Sequence, residues 1–426
     1  MRAVRVVVTG VVLGAMWSAQ SGATNGYSPT GFGTTNKGLA GAGVALPQDA
    51  LAGATNPAGM VHLGERIDVG LALFSPSPRG FTAHEYVDPD PTTPPQSIPP
   101  GSYESENDWF LMPSFGWNKP IDDVSSFGIS IGANGGMNTE YDDAVWGNFG
   151  PASSPTGVDF AQLFAGFSYS RKLNDQHSIG IMPILAVQRF KAEGLEPFQG
   201  ISVSPSHVTN NGYDYSWGGG LRVGWLGQMS DSLTLAASLQ SRLYMSSFDK
   251  YRGLFAEQGD FDIPPTLVAG LAYKVTPDVT LVADYQRIWY SEIKALSNPN
   301  DQPITGPSDF LGADDGLGFG WEDIDIVKLG VQWEYSPTWT FRAGYSFASQ
   351  LFEQGNALFN VLAPATPTEH ASLGLTHTIG NHAISVAYTH AFNNEIHGQN
   401  PPFTGEQSGF VEMSQNELEV SWSYRF

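Results

Sequence analysis

The C-terminal residues alternate strictly between apolar and polar side chains, and this alternation limits the possible folds more than any other feature. A period of two residues places the two sets on opposite faces of a β-strand. The apolar face must then meet a second sheet in a soluble sandwich or lipid in an outer-membrane barrel. The apolar set is Leu418, Val420, Trp422, Tyr424 and Phe426, and the polar set is Glu417, Glu419, Ser421, Ser423 and Arg425.

Similar alternation recurs along the chain and predicts fourteen strands. An even number of strands is typical of single-chain bacterial barrels. The predicted strands are residues 66–74, 108–118, 125–141, 158–173, 177–193, 213–228, 232–248, 264–275, 279–290, 323–335, 338–349, 369–379, 382–393 and 413–426.

Short and long connections alternate between these segments. Long links include residues 75–107, 291–322 and 394–412. Short turns on one side and long loops on the other are the periplasmic and extracellular connections of an outer-membrane barrel. We therefore predict an all-β fold, a transmembrane antiparallel β-barrel of about 14 strands over residues 64–426. The predicted short turns are Pro120 to Asp123, Asn174 to Gln176, Met229 to Asp231, Thr276 to Asp278, Ser336-Pro337 and Gly380-Asn381.

The first residues have the features of a secretory signal peptide. Arg2 and Arg5 precede an apolar run, and small residues at Ser21 and Ala23 predict cleavage after residue 23. Removing residues 1–23 changes the formal net charge from -22 to about -24, because the segment has two arginines and no acid. Such a charge disfavours nucleic acid as a partner. The absence of cysteine excludes disulfides, and no apolar run beyond the signal peptide is long enough for a transmembrane helix.

The segment 24–63 is rich in glycine, alanine and threonine and ends in the motif Asn56-Pro57-Ala58-Gly59-Met60. It is too poor in large apolar residues to form a core, and its glycines disfavour a regular helix. One interpretation is a disordered N-terminal arm. We favour a plug, or hatch, enclosed by the barrel, because its small residues suit close packing against surrounding walls.

This motif behind a glycine-rich segment resembles the hatch of FadL-type outer-membrane transporters for long-chain fatty acids and other hydrophobic compounds. Residues 130–141 also resemble the third strand of that family, with Asn134, Gly135 and Gly136 at an inward kink. The resemblance implies passive uptake of a fatty acid, alkane or aromatic hydrocarbon, with lateral exit through the kink into the outer membrane. Two consecutive glycines permit such a distortion, although an ordinary β-bulge without an opening is the alternative.

An apolar ligand requires apolar residues on the inward face, where a barrel is otherwise polar. A shift of one residue in register would turn the predicted set towards lipid. For an anionic head group we consider inward cations, most of which we expect to pair with lumen carboxylates such as Asp284 and Glu334. The ligand candidates are Phe74, Phe110, Met112, Phe160 and Phe164, and the head-group candidates are Arg222, Arg242, Lys274, Lys328 and Arg342.

Two other function classes fit parts of the sequence. A barrel hydrolase would need a catalytic triad, but the histidines show no recognisable triad or metal-ligand spacing, and we predict neither catalytic residues nor a cofactor. An adhesin or structural barrel would need no apolar lumen. The acidic residues Asp314, Asp315, Glu322 and Asp323 lack EF-hand spacing and are interpreted as a solvated loop. We expect a monomer in contact with outer-membrane lipid and lipopolysaccharide.

Overall fold

The computed structural model describes residues 24–86, 97–357, 359–399 and 407–426. The predicted signal peptide, residues 1–23, lies outside the described residues. Fourteen antiparallel strands form a closed barrel, in which the last strand pairs with the first. The strands are β1 Arg66–Ser75, β2 Phe110–Asp122, β3 Ser125–Tyr141, β4 Thr156–Lys172, β5 His177–Glu193, β6 Asp214–Gln228, β7 Leu233–Gln240, β8 Thr266–Thr276, β9 Val279–Ile288, β10 Ile324–Ser336, β11 Trp339–Ala348, β12 Glu369–Ile379, β13 His382–Gln399 and β14 Ser408–Arg425.

The alternation of side chains separates an apolar outer face from a polar inner face. In β14, Leu418 is 44% exposed, whereas Glu417 is 2% exposed. Each strand pairs with a neighbour on both sides, and closure of the barrel leaves no strand at a free sheet edge. The outer face is therefore apolar, as the wall of a membrane barrel requires, and the all-β barrel predicted from the sequence is confirmed. No helix in the described part of the chain is both long and apolar enough to cross a membrane.

Four predicted strand boundaries are wrong by four residues or more. β13 continues to Gln399 and β14 begins at Ser408, so both strands extend into the predicted long link 394–412. β2 continues to Asp122, so the turn before β3 is Asp123-Val124 and does not begin at Pro120. β7 ends at Gln240, eight residues before the predicted end. Beyond it the Ser241 hydroxyl donates to the Arg242 carbonyl, a local hydrogen bond that competes with a regular ladder.

The N-terminal segment 24–63, which we call the hatch, forms no barrel strand and is mostly buried. Its elements are a two-stranded hairpin (Thr24–Asn25 with Ser28–Pro29), a short helix α1 (Thr34–Lys37) and two 3₁₀ turns (Ala50–Ala54 and Pro57–His62). Glycines of the wall allow close approach: a Cβ atom on Gly344 would lie 2.1 Å from the Leu39 carbonyl carbon. The hatch backbone therefore packs closely against the wall at positions where the wall residue is glycine.

A large aromatic cluster fills the barrel between the hatch and the long connections. It joins wall residues such as Phe160 and Phe190 to loop residues such as Phe248 and Trp321. Tyr27 of the hatch belongs to the same cluster, with its ring centroid 5.8 Å from that of Phe160. The interior between the hatch and the long connections is therefore apolar.

Candidate functional site

The hatch motif is fixed to the wall by hydrogen bonds in both directions. The Asn56 side chain accepts a hydrogen bond from the Ala58 N–H at 3.0 Å, which caps the 3₁₀ turn, and Pro57 occupies the first position of that turn. Asn56 also donates to the carbonyls of Val44 and Trp225, each at 3.1 Å. Trp225 belongs to β6, so this one buried amide links two parts of the hatch to the barrel.

The same turn has two further contacts with the wall. Ser178 of β5 donates its hydroxyl to the Ala58 carbonyl at 2.9 Å, and Asn118 of β2 donates to the Met60 carbonyl at 3.0 Å. Gly59 approaches Pro47 so closely that a Cβ atom would lie 2.7 Å from the proline Cβ. Residues 56–60 are therefore connected to three wall strands, which fixes the hatch in the lumen.

A buried ion cluster fixes α1 to the last strand. The Lys37 ammonium contacts the Glu417 carboxylate and lies 2.6 Å from the Glu419 carboxylate. Thr34 donates its hydroxyl to Glu419 at 2.8 Å. All of these side chains are buried, so the cluster depends on mutual compensation of charge.

Two of the predicted head-group cations bind the hatch. The Lys328 ammonium donates to the Thr30 carbonyl at 2.6 Å. The Arg342 guanidinium donates to the Gln48 side-chain oxygen at 2.6 and 3.0 Å. A ligand head group at either position would have to displace a hatch contact.

The other three head-group candidates lie elsewhere. Arg222 donates to Gln240 at 2.5 Å, and Arg242 forms an ion pair with Asp262 at 2.6 Å. Lys274 is exposed near the short turn that follows β8. Their role towards a ligand stays a prediction, and the structure gives Arg222 and Arg242 other partners.

The predicted kink in β3 is a β-bulge. Ala133 pairs with Leu163 and Gly135 pairs with Gln162, so Asn134 is the additional residue. Asn134 donates its side-chain amide to Gln162 at 2.8 Å. Gly135 has φ +147°, and a Cβ atom there would lie 1.8 Å from the Tyr27 carbonyl oxygen. The hatch therefore occupies the space that the missing side chain leaves at the kink.

The ladder between β2 and β3 is interrupted next to this bulge. It ends at the pair Phe115 and Ile131, although β2 remains paired with β1 as far as Phe110. Pro113 in the unpaired stretch has no N–H to donate. We call this break the β2–β3 gap. A narrow cavity lies behind it, lined by Met112, Pro113, Ile131, Gly132, Ala133, Phe164, Met182 and Ile184, with Lys37 and Glu419 also at its wall.

The candidate ligand residues belong to three groups of buried side chains. Phe74, Phe110 and Met112 form one cluster, in which the two phenyl rings stack 6.2 Å apart. Phe160 belongs to the large aromatic cluster, and Phe164 lines the cavity behind the gap. All five side chains are buried, so the register places them away from lipid, whereas contact with a ligand stays a prediction.

A second cavity contains a charged residue that the sequence reasoning missed. It is small and is lined by Phe74, Met137 and Arg79 among others. Arg79 begins a short strand, Arg79–Ala83, in the long connection after β1. Arg79 is the only lysine or arginine in the long link 75–107, a signal that could have directed attention to it.

The histidine and acidic side chains of the described ranges form no cluster suited to a metal ion. No group of three or more histidine, cysteine, aspartate or glutamate side chains there could hold a metal ion. Asp323, one of the acidic loop residues, forms an ion pair with Arg287 at 3.0 Å. Its carboxylate is therefore occupied by a guanidinium.

Comparison with known proteins identifies similar chains. A family model described as "Outer membrane protein transport protein (OMPP1/FadL/TodX)" matches residues 14–426. The long-chain fatty acid transport protein of Salmonella typhi is 23% identical over 370 residues, 76% of this chain and 80% of that protein. The corresponding protein of Escherichia coli K12 is 22% identical over 379 residues, with the same coverage.

Solved structures show the same fold. A Pseudomonas aeruginosa FadL homologue has a TM-score of 0.68 at 17% identity, covering 94% of this chain and 100% of that one. The Pseudomonas putida toluene transporter TodX has a TM-score of 0.67 at 16% identity, covering 93% and 99%.

Proposed function

Because this chain belongs to the OMPP1/FadL/TodX family of outer-membrane transport proteins, we propose that it takes up hydrophobic compounds passively and releases them sideways through the β2–β3 gap. The family consists of transport proteins and not of enzymes. The fatty acid transport proteins and toluene transporters among its relatives support a ligand that is a fatty acid or a hydrocarbon.

The interrupted ladder is the observation that carries the proposal. Backbone groups facing hydrocarbon must form their hydrogen bonds within the protein, so an unpaired stretch in a barrel wall costs free energy. Such a stretch is therefore expected where it serves a function. Here the stretch lies beside a cavity whose lining is mostly apolar, with Met112 and Ile131 at the gap itself. An apolar compound in this cavity is separated from lipid only by the unpaired part of the wall.

Lateral release is also favourable for the ligand. Exposing apolar surface to water costs about 25 cal/mol per Å². A compound that moves from the aromatic interior directly into lipid avoids this cost, whereas a path past the polar hatch would incur it. The movement needs no energy source other than partition of the ligand into the membrane.

The hatch contact at the kink determines what must move. The Tyr27 carbonyl fills the space above Gly135, and the Tyr27 ring lies in the aromatic cluster. Release through the gap therefore includes displacement of the hairpin Thr24–Pro29. The barrel acts as a monomer in contact with lipid and lipopolysaccharide, since one chain supplies the wall, the hatch and the gap.

A disulfide across the gap tests the exit. A Cβ atom on Gly132 would lie 3.8 Å from the Cβ of Ser114, close to the usual disulfide spacing of about 3.8 Å. The chain has no cysteine of its own. We expect Ser114→Cys with Gly132→Cys to lower uptake of radiolabelled dodecanoate and toluene by expressing cells under oxidising conditions, and reductant to restore it.

A second cysteine pair serves as the control. Ser372 and Thr389 are partners in the uninterrupted ladder between β12 and β13. Ser372→Cys with Thr389→Cys should leave uptake unchanged with or without reductant. Normal uptake by the oxidised gap pair, once the cross-link is verified by mass spectrometry, would place the exit elsewhere. Absence of any uptake by the wild-type chain would favour an adhesin or structural barrel.

A further inference from the structure

A third cavity lies between the ends of β3, β4 and β5 that meet the long connections. It has room of about 250 Å³, slightly less than the roughly 300 to 1,000 Å³ of typical ligand pockets. Most of its lining is polar and includes Asn138, Asp159, Lys191 and Tyr213. Its size and polarity suit a polar compound with a single ring.

The strand register places this cavity on the outer face of the barrel. Phe160 of β4 points into the aromatic cluster, so the adjacent Asp159 points to the opposite face. Asn138 of β3 and Lys191 of β5 are the ladder partners of Asp159, and partners in a ladder share one face. A compound bound in this cavity therefore lies outside the barrel interior.

Aromatic side chains show the level at which the cavity opens. Tyr213, Tyr215 and Trp217 follow one another at intervals of two residues at the start of β6, and all three are exposed. Such side chains gather where the wall of a membrane barrel meets the polar head groups. Tyr213 lines the cavity and is the nearest of the three to the long connection, so the cavity opens at the level of the head groups.

A buried acceptor at the cavity wall lacks a hydrogen-bond donor. Asn138 is 5% exposed, and its Oδ1 atom has no partner within the described part of the chain. An acceptor left in this way costs free energy, which a ligand that donates to it recovers. The carboxylates nearby are only partly used: Asp159 accepts from the Tyr213 hydroxyl at 2.6 Å, and Glu140 accepts from the Asn107 amide at 2.9 Å. Each carboxylate has roughly four acceptor sites, so both can accept further hydrogen bonds.

The charges at the cavity exclude an anionic ligand. Three carboxylates line it, from Glu140, Asp159 and Glu193, against the single ammonium of Lys191. A phosphate or carboxylate would be repelled by this excess of negative charge. A metal ion is also disfavoured, because no group of histidine, cysteine or acidic side chains in the described ranges could hold one. The lining therefore suits an uncharged compound with several hydroxyl groups, each of which can donate to these acceptors.

We propose that this cavity binds a pyranose sugar ring. The ring hydroxyls donate to Asn138, Asp159 and Glu193 and accept from Lys191, while the C–H groups pack on the apolar part of Tyr213. Two sources supply such a ring at this level of the membrane: a free saccharide from outside the cell, and a sugar of lipopolysaccharide in the outer leaflet. The site lies outside the lumen, so the proposal does not depend on transport of a hydrophobic compound.

The free saccharide is tested by saturation-transfer difference NMR on the full chain in lipid nanodiscs. The probes are the methyl glycosides of glucose, galactose and N-acetylglucosamine. Asn138→Leu should weaken binding about twofold to tenfold, the range for one net hydrogen bond. Leucine has a similar shape and leaves no acceptor without a partner, so the variant should fold. Lys191→Met should also weaken binding, and its fold is safe because the pair of Lys191 with Glu193 is partly exposed.

Lipopolysaccharide is tested by native mass spectrometry of the same variants extracted from outer membranes. The wild type should retain bound lipopolysaccharide, and Asn138→Leu and Lys191→Met should retain less. Tyr215→Leu is the matched control in both experiments, because Tyr215 lies on the same outer face two residues from Tyr213 and does not line the cavity. It should behave as the wild type, and all variants should show the wild-type difference between heated and unheated protein on a gel.

Weaker binding in both cavity variants, with normal binding in Tyr215→Leu, supports the site, and the probe that shows it identifies the source of the sugar. The proposal is overturned if the wild type binds neither the methyl glycosides nor lipopolysaccharide. It is also overturned if the folded cavity variants bind as the wild type does, or if Tyr215→Leu weakens binding as much as they do.

Discussion

Replacing Asn56 with alanine should release the hatch from the wall without unfolding the barrel. The Asn56 side chain is 3% exposed and makes three hydrogen bonds: one from the Ala58 N–H and one each to the carbonyls of Val44 and Trp225. Loss of the cap costs about 1 kcal/mol. The two buried carbonyls lose their donor, and leaving a buried polar group unsatisfied costs about 1 to 3 kcal/mol.

These contributions amount to about 3 kcal/mol for the docking of the motif. Since each 1.4 kcal/mol is tenfold, the undocked hatch should become roughly a hundredfold more populated. The barrel strands keep their own ladders, so the unheated protein should still migrate differently from boiled protein on a gel. The measurement is ion conductance of the purified protein in a planar bilayer, where we expect more frequent openings than in the wild type.

Asn56→Asp separates the two kinds of hydrogen bond. The aspartate can still accept from the Ala58 N–H, but its ionised carboxylate has no donor for the Val44 and Trp225 carbonyls. At pH 8 the Asn56→Asp variant should therefore open at least as often as Asn56→Ala. At acidic pH it should open less often, because protonation of the carboxyl group restores one donor. Wild-type conductance of Asn56→Asp at pH 8 would refute the argument that the donated bonds hold the hatch.

The two other predictions concern buried charges that hold the hatch. Lys37→Met removes the cation between Glu417 and Glu419, which should destabilise hatch docking by about 3 to 5 kcal/mol. The hatch should then become susceptible to limited proteolysis. Adding Glu419→Gln should restore part of the protection, because it removes one of the two uncompensated charges. Burial and the charge of Asp68 raise the pKa of Asp49 to about 6, above the unfolded value of about 3.9. The docked hatch thus holds the proton more tightly, so its stability is greatest below about pH 4 and falls as pH rises through about 6. The conductance of the wild type should rise from pH 5 to pH 7. The conductance of Asp49→Asn should not show this rise.

The strands could be predicted because their signal is local. A residue such as Leu418 lies on the outer face and its neighbour Glu417 faces the lumen, and this difference is present in the residue types themselves. The break after Gln240 was missed because it depends on a hydroxyl bonding to its own backbone, which a period of two does not reveal. The bulge was suggested by Gly135, but the tight contact with Tyr27 joins residues more than a hundred positions apart.

The partners of the buried cations could not be predicted, because each depends on which part of the hatch lies opposite a strand. Lys328 meets a hatch carbonyl and Arg342 meets a hatch amide, neither of which carries a charge that a sequence pattern would match. Arg79 lies in a long link without periodicity, so nothing local predicts that it is buried. Charge pairing is a poor guide for Lys328 and Arg342, since their acceptors in the hatch are a backbone carbonyl and a side-chain amide and not carboxylates.

The hatch and the gap are connected through one contact, between the Tyr27 carbonyl and Gly135. A side chain at position 135 would collide with this carbonyl and would also have to adopt φ +147°, so glycine is required for two independent reasons. The Tyr27 ring packs against Phe160 and Tyr290, and the Tyr290 hydroxyl donates to the Asn25 carbonyl at 2.7 Å. A ligand that enters this aromatic cluster competes for the surfaces that hold Tyr27 in place. Binding of an apolar ligand and withdrawal of the hairpin from the kink therefore favour each other, because a ligand that replaces these ring contacts lowers the free energy needed to move the hairpin.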